Sequence, residues 1–224
     1  MSEQDQQAIH QRLDPDLQDR IEQQPVISRT NAYQGRVWNV VSDVVDLGGA
    51  GRVTRDYVQH TGAVAVIALR GDAGAEEVAL IRQYRHPVQA FDWEIPAGLL
   101  DKPREDPRVA AARELREESD LDADTWNVLL DTFTSPGATS EVIRIFLARD
   151  VHPAPAHDFV REGEEADIHT GWLSLDDAIE AVMSGRMHNG PAIAGILATH
   201  VARQRDWATL RPADSPWPEH SAYR

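Results

Sequence analysis

The stretch GLLDKPREDPRVAAARELREESDL, running from Gly98 to Leu121, decides how this chain is read. Its second half predicts a helix over Pro107–Ser119. Proline suits the first helical turn, and the interior is rich in Ala, Leu, Arg and Glu. On that helix Glu114 and Glu118 stand one turn apart on one face, with Glu117 beside them. Like charges at this spacing destabilise an isolated helix by about 0.2–0.5 kcal/mol per pair. They also crowd the C-terminal end, where the helix dipole disfavours negative charge. The cluster costs stability unless a cation lies against it. Carboxylate oxygens are the ligands that hard Mg²⁺ prefers, and Mg²⁺ keeps positions open for water and phosphate. Taken alone, the helix also supports a plainer account: a solvated charged face with Arg113 and Glu117 paired one turn apart.

Working outward, Ala63–Leu69 is a fully apolar strand, and Glu77–Tyr84 is its hairpin partner across a polar turn. Phe91–Leu100 carries Pro96 and Gly98 and reads as irregular strand and loop. Strands are expected at Trp126–Phe133, Val142–Leu147 and Ile168–Leu173. Helices follow at Leu175–Ser184 and Pro191–Gln204, the second striped with Ile193, Ile196, Leu197 and Val201. Val37–Gln59 reads as two or three short strands around a turn at Gly48, Gly49 and Gly51. The chain is thus expected to divide into a polar arm (1–25, frayed or partly helical), a small N-terminal β subdomain (26–58), a main domain (59–205) and an extended Pro-rich tail (206–224). Strands and helices interleave without strict alternation. The fold class is therefore α/β in the broad sense, more narrowly α+β: a mixed β-sheet sandwiched between helices.

The 224 residues include 37 acidic and 22 basic side chains, a formal net charge of −15. That balance repels nucleic-acid backbone and anionic membrane, so neither is an expected partner. A small anionic substrate remains compatible, because local basic groups and metal ions invert the field inside a cleft. Cysteine is absent, which removes disulfides, thiol nucleophiles and thiolate zinc sites. The polar first residues hold no apolar signal segment, and no apolar run is long enough to span a bilayer, so a cytoplasmic protein is expected. The nine histidines show no zinc-protease spacing, and Ser135 and Ser140 lack a nucleophile-elbow context.

With Gly98 and Glu105 added, residues 98–121 resemble the Nudix box: Gly, five residues, Glu, seven residues, then Arg-Glu-aliphatic-x-Glu-Glu-x-Gly-aliphatic. Gly98, Glu105, Arg113, Glu114, Leu115, Glu117, Glu118 and Leu121 fall into it. Two positions depart. Six residues separate Gly98 from Glu105, and Asp120 replaces the last glycine. Asp tolerates the left-handed turn that the glycine would make. Further likeness covers about residues 57–204. Gln83-Tyr84-Arg85-His86, Trp93-Glu94-Ile95-Pro96-Ala97-Gly98, Ser135-Pro136-Gly137, Glu164-Glu165-Ala166-Asp167 and the Ala192–His200 helix are similar to the ADP-ribose pyrophosphatase branch.

The resemblance implies a Nudix-like sheet and Mg²⁺-dependent hydrolysis of ADP-ribose to AMP and ribose 5-phosphate, with Mn²⁺ as a substitute ion. It implies that Glu114, Glu117 and Glu118 hold the metal together with the Ala97 carbonyl. Glu165 would orient or deprotonate the attacking water, with Glu164 as its rival. Arg85 would bind phosphate, while Glu94 and Glu141 would line the sugar or diphosphate region. It further implies a homodimer in which the N-terminal piece is exchanged. Taken singly, Arg85 reads equally as a surface arginine and Glu141 as a strand-entry residue, whereas Trp93 reads as core or structural rather than as a base-stacking platform. The alternatives are another nucleoside diphosphate sugar as substrate, or a non-catalytic ADP-ribose-binding sensor.

Overall fold

The computed structural model describes residues 14–156, 159, 161 and 167–223. The apolar run becomes β4 (Ala63–Arg70), which pairs in parallel with β9 (Val142–Pro153). These two form the centre of an eight-stranded mixed sheet ordered β10-β5-β4-β9-β8-β11. The other strands of that path are β5 (Glu77–Arg85), β8 (Leu121–Phe133), β10 (His169–Ser174) and β11 (Arg211–Pro212). Two short strands, β6 (Ala90–Glu94) and β7 (Ala97–Leu99), lie off the path and pair with β5 and β4. Ile95 and Pro96 separate them, which is the interruption that proline predicts.

Both faces of β4 are covered, which is why its sequence is a continuous apolar run rather than an alternation. Val64, Val66 and Ala68 pack with Ala110, Ala111 and Leu115 of helix α1 (Pro107–Ser119). Ala65, Ile67 and Leu69 join Leu175 and Ala178 of α2 (Leu175–Met183) and Ile196 of α3 (Gly190–Gln204). The mixed sheet between helices is therefore as expected.

A second sheet, β1-β2-β3, comprises Val26–Gln34, Asn39–Asp46 and Arg52–Gln59, and Gly48 and Gly51 turn the chain at positive φ between its last two strands. One polar group pins all three strands. Asp43 on β2 accepts from Arg29 of β1 at 2.7 and 2.6 Å and from Tyr57 of β3 at 3.1 Å. This sheet joins the main body where Val58 bonds with Ala138 and Ser140.

Of the expected polar arm, residues 1–13 lie outside the described residues and 14–25 contain no helix. The structure departs from the sequence reading in three places. Strand β1 lies ahead of the Val37–Gln59 stretch that was read as strands. The strands β8 and β9 run well beyond Trp126 and Leu147, because their outer halves pair as a ribbon that carries polar residues such as Asp122, Asp124 and Arg149. The C-terminal segment was expected to be extended but runs through successive turns, closed by bonds such as Ser215 N–H to the Pro212 carbonyl and His220 N–H to the Trp217 carbonyl, and it is not peripheral. Trp217 is only 2% exposed and joins the α1 side of the core.

Candidate active site

Helix α1 starts on Asp106, whose carboxylate accepts from the backbone of Arg108 and Val109 at 2.9 and 3.2 Å, with Pro107 in the first turn. It stops at Asp120, which adopts the left-handed conformation at φ 56°, ψ 32°. Aspartate thus performs the turn that glycine makes in the box. Arg161 closes the same end, donating to the Glu117 carbonyl and to Asp120 Oδ2, both at 2.8 Å. Nothing in the sequence pointed to Arg161.

The acidic face is organised around Arg113. Its guanidinium grips Glu105 through two bonds of 3.0 Å, and Nη1 meets Glu114 Oε1 at 2.5 Å and Glu117 Oε2 at 2.9 Å. The plainer pairing of Arg113 with Glu117 is therefore present, inside a larger cluster. The bond to Glu105, reinforced by Glu114 and Glu117, holds the guanidinium far above its usual range, and the same bond keeps the Glu105 carboxyl below the usual carboxylate range. Glu118 is buried at 5% exposure and accepts from the Ala97 N–H at 2.8 Å. Gly98 lets Glu114 lie against the same strand. A Cβ there would stand 2.0 Å from Glu114 Cδ and 2.1 Å from its Oε1.

The donor set suits a hard divalent cation: three carboxylates on adjoining positions of one helix, against the strand that carries Ala97. Among the described residues no three acidic or histidine groups are already drawn around one point. The Arg113 cation lies against Glu114 and Glu117 instead, and these two carboxylates would exchange its N–H groups for the metal.

The remaining expected residues fall in three places. Arg85, on β5, and Glu94, at the end of β6, form a bidentate pair at 2.6 and 2.6 Å, with Glu94 only 3% exposed. Glu94 lies three residues before Ala97, whose N–H meets Glu118 of the acidic helix. Glu141 accepts from Thr134 at 2.6 Å and meets His60 Nε2 at 3.1 Å, where the two sheets join. His60 Nδ1 accepts from the Gly62 N–H at 3.0 Å, so Nε2 carries the proton toward Glu141. Burial holds this imidazole below its ordinary pKa. Glu164 and Glu165 lie outside the described residues. Trp93 is not core. It is 37% exposed and lines a cleft of about 430 Å³ with Trp172, Arg186 and Met187. Strand alternation turns it away from the face that Glu94 occupies.

A family model for the NUDIX domain matches residues 59–194. The chain is 41% identical over 194 residues to the ADP-ribose pyrophosphatase of Mycobacterium tuberculosis (strain ATCC 25618 / H37Rv), covering 85% of this chain and 89% of that one. It is 32% identical to a methanol dehydrogenase activator of Bacillus methanolicus, over 78% of this chain and 91% of that protein. A crystal structure of an ADP compounds hydrolase superposes with a TM-score of 0.67 at 18% identity, covering 84% of this chain and 98% of the other. That last likeness speaks to the fold alone.

Proposed function

The chain belongs to the NUDIX domain family of hydrolases, and on that premise we propose that it hydrolyses the pyrophosphate bond of ADP-ribose. Water adds to one phosphorus, the bridging oxygen leaves with the other, and the products are AMP and ribose 5-phosphate. The observation that carries this reading is the gathering of Glu114, Glu117 and Glu118 against β7 by Gly98 and Arg113, in a chain so similar to an ADP-ribose pyrophosphatase. Mg²⁺, or Mn²⁺ in its place, would neutralise the diphosphate and lower the pKa of a bound water.

The residues divide the work. Glu114, Glu117 and Glu118 hold the ion, with the Ala97 carbonyl as a further ligand. Glu118 is the most buried of the three, and the Ala97 N–H holds one of its oxygens. Arg85 offers charge to a phosphate and Glu94 keeps its fork oriented, a bidentate arrangement that also suits phosphate oxygens. Glu141 borders the sugar or diphosphate region. The proton of the attacking water goes to Glu165, with Glu164 as the alternative. The functional unit is a homodimer that exchanges the N-terminal sheet; β1 supports this, being exposed along all nine residues while carrying Val26, Ile27 and Tyr33.

Glu118→Gln tests the site. It should abolish most Mg²⁺-dependent hydrolysis while the thermal melt stays cooperative, and wild-type turnover would remove the helix from the mechanism. A panel of nucleotide sugars tests the substrate. Preference for UDP-glucose over ADP-ribose would overturn the assignment, and mass spectrometry of products formed in ¹⁸O-labelled water identifies the phosphorus attacked.

A further inference from the structure

The C-terminal segment, Arg211 to Tyr223, has no part in the chemistry just described, yet it reaches the loop that presents the acidic helix. Residues 101–106, between β7 and α1, form an exposed turn in which only Glu105 is half-buried. The turn absorbs the extra residue between Gly98 and Glu105, with Arg104 left-handed at φ 63°. Within it, the Glu105 N–H bonds to the Lys102 carbonyl at 3.2 Å. From outside it, Tyr223 Oη donates to the Glu105 carbonyl at 2.8 Å. We propose that Tyr223 is a positioning residue for metal binding. It fixes the Glu105 backbone, Glu105 grips Arg113, and Arg113 sets Glu114 and Glu117. This rests on the reading that those carboxylates hold the divalent ion.

Tyr223 is itself held by a built support. Its ring stacks on Trp217 at 5.7 Å and 12° and lies 4.7 Å from His220. His220 Nδ1 accepts from the Ala222 N–H, so its Nε2–H is the donor to the Thr61 carbonyl at 2.8 Å. The Arg144 guanidinium covers the Trp217 ring at 4.7 Å, grips Asp131 at 2.8 and 3.0 Å, and ties down the Ser215 and Pro216 carbonyls. Burial and the nearby Asp106 and Glu105 carboxylates raise the phenol pKa, so the hydroxyl remains a donor.

The consequence for metal follows from competition. Glu105 fixes the guanidinium plane from one side, which leaves only Nη1 on Glu114 and Glu117. A Glu105 that drifts releases the whole guanidinium onto those two carboxylates, where it competes with the ion. Metal affinity falls even though no ligand has changed.

Tyr223→Phe removes one oxygen and keeps the ring stack. Free Mn²⁺ measured by electron paramagnetic resonance during titration should show about a 5-fold higher Kd than wild type, the scale of one lost hydrogen bond. The Mg²⁺ concentration for half-maximal hydrolysis should rise by the same factor, with the metal-free melting temperature within about 4 °C. Wild-type Mn²⁺ binding in Tyr223→Phe overturns the proposal, as does a weakened affinity accompanied by a large fall in metal-free melting temperature. Glu118→Gln separates the two readings. If it loses Mn²⁺ while Tyr223→Phe does not, only the positioning role fails; if it binds like wild type, the metal site itself is misassigned.

Discussion

Gly98→Ala should disable the site while sparing the fold. The glycine backbone is not in the left-handed region, so alanine can adopt it, and fewer unfolded conformations would by themselves stabilise the chain by about 0.4–1 kcal/mol. The new methyl would meet Glu114 Cδ at 2.0 Å and Cγ at 2.5 Å, where ordinary contact begins at 3.4 Å, so the carboxylate must retreat by about 1.4 Å. That group is the far end of a flexible side chain, and its retreat breaks the 2.5 Å bond to Arg113 Nη1 rather than any part of the core. The two stability effects are of similar size and opposite sign, so the melting temperature should stay within about 4 °C. A ligand displaced by more than 1 Å should lower kcat/KM about 100-fold. Steady-state release of AMP at saturating Mg²⁺, alongside a thermal melt, measures both. Near wild-type kcat/KM would refute the placement of Glu114 in the metal site, and a chain that fails to fold would refute the claim that the carboxylate yields first.

Trp217→Ala should cost about 3–5 kcal/mol, the range for emptying a buried aromatic site, and urea unfolding would read it directly. The Asp43 carboxyl lies below its ordinary pKa, chiefly through the Arg29 hydrogen bond. Its contribution should be complete above the unfolded value near 3.9 and be lost as pH falls through the lower folded value; melts of Asp43→Asn should lack that dependence. Arg85→Ala should raise KM for ADP-ribose and lower kcat/KM about 10–100-fold, whereas an unchanged KM in initial-rate assays would leave Arg85 only as the partner of Glu94. Chelation with EDTA should stop hydrolysis reversibly without unfolding the chain, monitored by far-UV circular dichroism before and after Mg²⁺ is restored.

The residues that were legible in the sequence are those whose physics is local. Pro107 and the Ala, Glu and Arg run fix α1, the spacing of Glu114, Glu117 and Glu118 places them on one face, and Asp120 can turn left-handed because its short polar side chain tolerates that conformation. The two-sided burial of β4 is likewise written in its unbroken apolar run. Strand ends were less legible, because the polar outer halves of β8 and β9 are held by each other rather than by a buried face.

Contacts between distant residues were decided only by the tertiary fold. No spacing rule links Tyr223 to Glu105, Arg161 to Asp120, Arg144 to Trp217 or His60 to Glu141. The sequence determined that Glu114, Glu117 and Glu118 share one helix face, since helical periodicity sets it. The folded chain decided how they are held, because the bonds to Arg113 and Glu118 come from a turn and a strand brought against the helix by packing.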